Sequence, residues 1–161
     1  MNQDQVSGFA RWQVWILIGA LLFLLALWVS AFVVPKLRLL HILQALIYIT
    51  VMILARRNSA WGLGVGIAVA VFWNSLQLFV THNMQRGFVL FWSFLGTGQL
   101  RQLDTIMVAL AWIGHCILIA GCLGAFFKQP TTGRNWWKLV GGGAIGLGYL
   151  AFIVAIALPR R

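Results

Sequence analysis

Apolar residues in this chain do not alternate with polar ones; they gather in long runs separated by short polar stretches. Five runs stand out: Trp12 to Val34, Leu39 to Ala55, Trp61 to Val80, Thr105 to Phe127 and Leu139 to Leu158. A helix rises 1.5 Å per residue and needs about 20 apolar residues to cross hydrocarbon, so each run predicts one spanning helix. Arg11 precedes the first run, Pro35 and Lys36 follow it, Arg56 and Arg57 follow the second, and Pro159 with Arg160 and Arg161 closes the last. Val29 and Ala31 imitate a signal-peptide cleavage pattern, but the apolar core is too long and lacks a polar region before them, so a retained helix is expected. The predicted fold is an all-α integral membrane protein, a five-helix transmembrane bundle forming a single domain over residues 1–161.

The segment 81–104 between the third and fourth runs holds a shorter apolar stretch. Its residues Phe88 to Leu95 reach only about 12 Å as helix, too short to cross. Phe88, Phe91, Trp92 and Leu95 follow an i, i+3, i+4, i+7 pattern, which predicts a short interfacial or re-entrant helix over about 87–95. The loop from Lys128 to Lys138, with Trp136 and Trp137 beside basic residues, reads as an interfacial anchor. Small residues recur at Gly62, Gly66 and Ala70, at Gly114, Gly121 and Gly124, and at Gly142 and Gly146, predicting close helix packing inside the chain.

Composition sharpens this picture. Of 161 residues, 61% are hydrophobic and 9% charged, with a mean hydropathy of +0.91. A soluble domain carries about 25% charged residues, so this chain cannot coat a water-facing surface. Its only acids are Asp4 and Asp104, which excludes paired-carboxylate chemistry in a membrane interior. The 12 Lys and Arg give a net charge of +10, yet they stand singly or in pairs at run ends. That placement suits a bilayer with anionic headgroups and not nucleic acid. The expected location is therefore integral to a membrane, taken as the bacterial cytoplasmic membrane. Five crossings put Arg11, Arg56, Arg57, Lys128, Arg134 and Lys138 on one side and Lys36, Arg38, Arg86, Arg101, Arg160 and Arg161 on the other, a tie that leaves orientation open. Cys116 and Cys122 lie about 9 Å apart along one predicted helix and cannot bridge within it.

Polar side chains inside a bilayer are costly and therefore mark candidate sites. His41, Gln44 and Tyr48 share one face of the second predicted span; Asn74, Gln77 and Thr81 share one face of the third and lead to His82. Threading brings His41, His82 and Asp104 to similar depth on the side opposite the N-terminus. Asp104 and His115 are eleven residues apart, a helical offset of roughly 20 degrees, so they share a face with His115 near mid-membrane. The candidate polar cluster is His41, Gln44, Asn74, Gln77, His82, Asp104 and His115, arranged as a half-channel toward His115. Each member also has a structural reading: Asp104 as a helix N-cap, the amides as interhelical hydrogen-bond glue, and the outer histidines as headgroup-level residues.

Three functions fit these residues. The leading one is a non-enzymatic membrane protein, either an accessory subunit partnered by other membrane subunits or a binder of an apolar ligand such as a lipid or quinone. The second is a small permease or proton-coupled carrier built on the half-channel. The third is a b-type haem protein with paired axial histidines, which the unequal depths of His41 and His115 disfavour. No cofactor is implied, and His41, His82 and Asp104 make only a weak zinc set without HxxxH or HExxH spacing. In size, five predicted spans and tryptophan content, the chain resembles the tryptophan-rich sensory (translocator) family, which binds tetrapyrroles and sterols. The likeness stops at architecture: Pro35-Lys36-Leu37-Arg38 stands where that family has Lys-Pro-x-Trp followed by paired prolines, so no binding residue is carried over.

Overall fold

The computed structural model describes residues 3–99, 102–129 and 135–157, with side chains described from residue 11 to residue 156 of these. They are helical almost throughout: α1 (Gln3–Val33), α2 (Arg38–Arg56), α3 (Ala60–Ser75), α4 (Asn83–Thr97), α5 (Leu103–Lys128) and α6 (Trp136–Ala157). A 3-10 turn at Pro35–Leu37 joins α1 to α2, and a π-helical segment at Leu76–Val80 prolongs α3. Among the described residues, five helices are long and apolar enough to cross a membrane. They coincide with the five apolar runs, α1 beginning well before Trp12 because no proline interrupts the polar lead-in. Arg101, Arg134, Leu158, Pro159 and the Arg160–Arg161 pair lie outside the described residues.

Chain connections follow from local chemistry. Pro35 sits at the first position of the 3-10 turn, where its missing N–H costs nothing, and the turn reverses the chain directly into Arg38. Asn58 takes a left-handed conformation (φ 56°) between α2 and α3, a conformation asparagine tolerates better than most residues. His82 does the same (φ 54°) between the π-helical segment and α4, so its backbone makes the bend that separates the two.

Helix α1 packs most extensively on α5, and α3 on α6; α2 lies against α1 and α3, and α4 leans on α5. The glycines explain the closest approaches. A Cβ on Gly19 would stand 2.5 Å from the backbone N of Leu118, and one on Gly114 would stand 2.8 Å from the Gly19 carbonyl oxygen. These two residues therefore form a reciprocal backbone contact that no side chain can enter. Gly64 meets the Leu139 carbonyl and Gly142 the Trp61 carbonyl in the same manner across α3 and α6. The small-residue ladders thus serve packing within the chain.

The fourth helix is longer than the sequence pattern suggests, running from 83 to 97 where 87–95 is expected. Its stripe also divides differently. Gly87 is buried against Thr105 and Ala109, and Phe88 sets its ring edge-on to Trp112 at 5.4 Å. Trp92 and Leu95 instead point outward. The periodicity places all four residues on one arc, but α5 covers only half of it.

Candidate functional site

Two features emerge, one buried and one open. The buried feature centres on His115, which is fully enclosed in α5. Its Nδ1 lies 2.9 Å from Oδ1 of Asn74 on α3, and its Nε2 lies 2.6 Å from the hydroxyl of Tyr48 on α2. A carbonyl oxygen can only accept, so Nδ1–H donates to Asn74 and Nε2 accepts from the Tyr48 O–H. This pattern satisfies both nitrogens of a neutral imidazole. Phe23 of α1 stacks on the imidazole at 4.0 Å, and Trp73 closes another side edge-on at 5.0 Å. Three polar groups from three helices are thereby joined inside an aromatic box.

The other candidates are placed separately. Gln77 accepts at Oε1 from the Thr81 hydroxyl at 2.8 Å, a bond within its own segment. His82 is exposed at the bend before α4, and Asp104 is half-buried in the first turn of α5, where the N-cap is Gln102 and not the aspartate. A carboxylate there suits the helix dipole. Gln44 is buried one turn before Tyr48. His41 is half-buried with its Nδ1 enclosed and unpartnered. The structure thus joins Asn74 and His115, adds Tyr48, and leaves Asp104 unbonded to the histidine. Both His115 nitrogens are engaged, so neither has a free lone pair for haem iron in this arrangement. Among the described residues no three His, Cys, Asp or Glu side chains stand where they could hold a metal ion.

The open feature lies on the outer surface between α1 and α2. It is a groove of about 430 Å³, within the size range of ligand pockets. Leu27, Trp28 and Phe32 form one wall, with Ile42, Leu46 and Ile49 opposite. Ala31 and Ala45 lack the bulk to fill the space between them. Arg38 and His41, three residues apart on the first turns of α2, supply its polar groups. Arg38 Nε–H points to the Ala31 carbonyl at 3.5 Å, turning the guanidinium across the groove toward α1.

No family model, curated protein or solved structure matches this chain. Function must therefore be argued from the groove and the His115 assembly themselves.

Sequence reasoning missed a third polar feature. Gln13 of α1 donates from Nε2 to the Ala55 carbonyl at 3.1 Å and to Asn58 Oδ1 at 2.9 Å, while Gln129 after α5 donates to the Asn58 carbonyl at 2.8 Å. These bonds tie the α2–α3 connection to α1 and α5. Both glutamines lie at the margins of apolar runs, where the depth argument does not register them.

Proposed function

We propose that this chain is an integral, non-enzymatic membrane protein that binds a lipid-like amphiphile in the groove between α1 and α2. The observation that carries the reading is the groove itself: an apolar trough, open sideways, with its ionisable groups confined to Arg38 and His41. Membrane embedding is supported by the outward faces. Trp28 and Phe32 on α1, Phe72 on α3 and Phe152 on α6 are all exposed large apolar residues, and in water such continuous surface would drive aggregation. In a bilayer the same surface meets acyl chains, and the five long helices satisfy their backbone groups internally.

Native mass spectrometry of protein extracted from membranes tests the reading. The expected result is one tightly held amphiphile per chain, lost when Ala31→Phe fills the trough. A bare wild-type protein, or equal retention by the variant, would contradict it.

A proton-coupled carrier is the second reading, favoured by the hydrogen-bonded sequence Tyr48–His115–Asn74. An imidazole that accepts on one nitrogen and donates from the other can pass a proton by tautomer exchange. The aromatic box would have to open for such traffic. Proton flux into liposomes that depends on His115 would favour the carrier over the binder.

A further inference from the structure

We infer that the amphiphile held between α1 and α2 is an anionic phospholipid whose phosphodiester is bound by Arg38 and His41. This rests on the groove reading above and adds the chemical class of the ligand.

The ionisable lining is positively biased and has no carboxylate to neutralise it: Arg38 and His41 are the ionisable lining residues and no acid joins them. The only acids in the chain are Asp4 and Asp104, and the exposed guanidinium of Arg38 makes no ion pair among the described residues. One guanidinium N–H is directed to the Ala31 carbonyl, leaving the terminal fork for an outside acceptor. A phosphodiester presents the paired oxygens that this fork matches. His41 Nδ1 is enclosed without a protein partner, and it lies one helical turn further along α2 on the groove face.

Two further details favour phosphate over a neutral headgroup or a quinone carbonyl. The groove's polar residues sit in the first turn of α2, at the end of the helix whose dipole favours an anion. Lys36 in the preceding turn is exposed and adds positive charge to the same chain reversal. A quinone needs one or two neutral donors and gains little from this concentration of charge. The apolar walls then take one acyl chain, with Trp28 and Phe32 beside it.

The test uses the full-length protein in nanodiscs containing equal phosphatidylglycerol and phosphatidylcholine with the same acyl chains. Native mass spectrometry after gentle release reads the ratio of the two lipids retained. Wild-type protein is expected to retain phosphatidylglycerol over phosphatidylcholine by about tenfold or more, the range of a charge-assisted contact. Arg38→Gln should bring the ratio close to one. Arg38→Lys should be intermediate, because it keeps the charge and loses the fork, and His41→Ala should lower the ratio less. Arg86→Gln, a change to a basic residue outside the groove, should leave it unchanged. A ratio near one in the wild type, an unaltered ratio in Arg38→Gln, or an equal loss in Arg86→Gln would overturn the assignment. Ala31→Phe separates the two claims: if it removes both lipids while Arg38→Gln leaves their ratio untouched, the groove reading stands and the headgroup assignment fails.

Discussion

The Tyr48 hydroxyl lies 2.6 Å from Nε2 of His115, joining residues 67 positions apart in the chain. With Asn74 on the opposite nitrogen, it makes the imidazole a fully satisfied buried group instead of a stranded one. Removing both side chains should therefore cost less than the two single removals added together. Tyr48→Phe leaves Nε2 buried without a donor and is expected to destabilise the fold by about 1–3 kcal/mol. The double variant Tyr48→Phe with His115→Leu should lose less than the two single losses added together, by about 0.5 kcal/mol or more. Reversible unfolding in mixed detergent and denaturant measures both; strict additivity would show that the two side chains do not act together.

Glycine contacts give a contrast inside one protein. Gly19→Ala puts a methyl against the Leu118 backbone and the Gly114 carbonyl, so α1 and α5 must separate, at a cost of about 1–3 kcal/mol. Gly148→Ala meets nothing within 4 Å and lies within α6, where alanine favours the helix by up to about 1 kcal/mol. Thermal unfolding should move down for the first variant and stay level or rise for the second. Equal behaviour would remove the packing role assigned to the Gly19–Gly114 contact.

The amide clasp at the other end of the bundle predicts a smaller effect. Gln13→Leu deprives the Ala55 carbonyl and Asn58 Oδ1 of their shared donor. A loss of about 0.5–1.5 kcal/mol is expected, with amide exchange rising first around residues 55–59. Unchanged exchange there would mean that the clasp does not hold the α2–α3 connection.

Much of this fold is legible in the sequence because the governing variable is length: a run of some 20 apolar residues has few alternatives to a spanning helix. The depth of His115 within its run also singles it out as a polar group to be accounted for. What it cannot supply is the partner. Asp104 shares a nominal face with His115, but which side chain reaches an imidazole depends on how neighbouring helices are rotated and tilted. That is settled by contacts such as Gly19 on Gly114 and Gly64 on Leu139. Tyr48 and Asn74 each stand in a polar stripe that the pattern identifies, yet nothing in either stripe says that the two flank one ring. The π-helical segment at Leu76–Val80 and the left-handed His82 leave no periodic mark, so the start of α4 was invisible, and His82 draws attention as a polar group when its backbone makes the bend. The groove escapes for another reason. Trp28, Phe32 and Ile42 look like lipid-facing residues, and only the spacing of α1 and α2 around Ala31 and Ala45 turns them into walls.

The order of the connections can be checked independently of any ligand. Gln13, Asn58 and Gln129 are bonded together at one end of the bundle, and Lys36 lies at the other end of α1 and α2. In a Cys116→Ala, Cys122→Ala background, a cysteine placed at Asn58 should react with an impermeant reagent from one side of a sealed vesicle. A cysteine at Lys36 should react only from the other. Reaction of both from one side would contradict the proposed crossing of α2.

The most direct test of ligand binding maps where a lipid touches the protein. Vesicles carrying the wild-type chain and a trace of lipid with a diazirine on its acyl chain are irradiated, and the modified residues are located by peptide sequencing. The account predicts an excess of label on residues 27–32 and 41–49 above the general acyl-chain labelling of the outward faces of α3 and α6 around Phe72 and Phe152. Label spread evenly over every outward face, with no excess between α1 and α2, would contradict it.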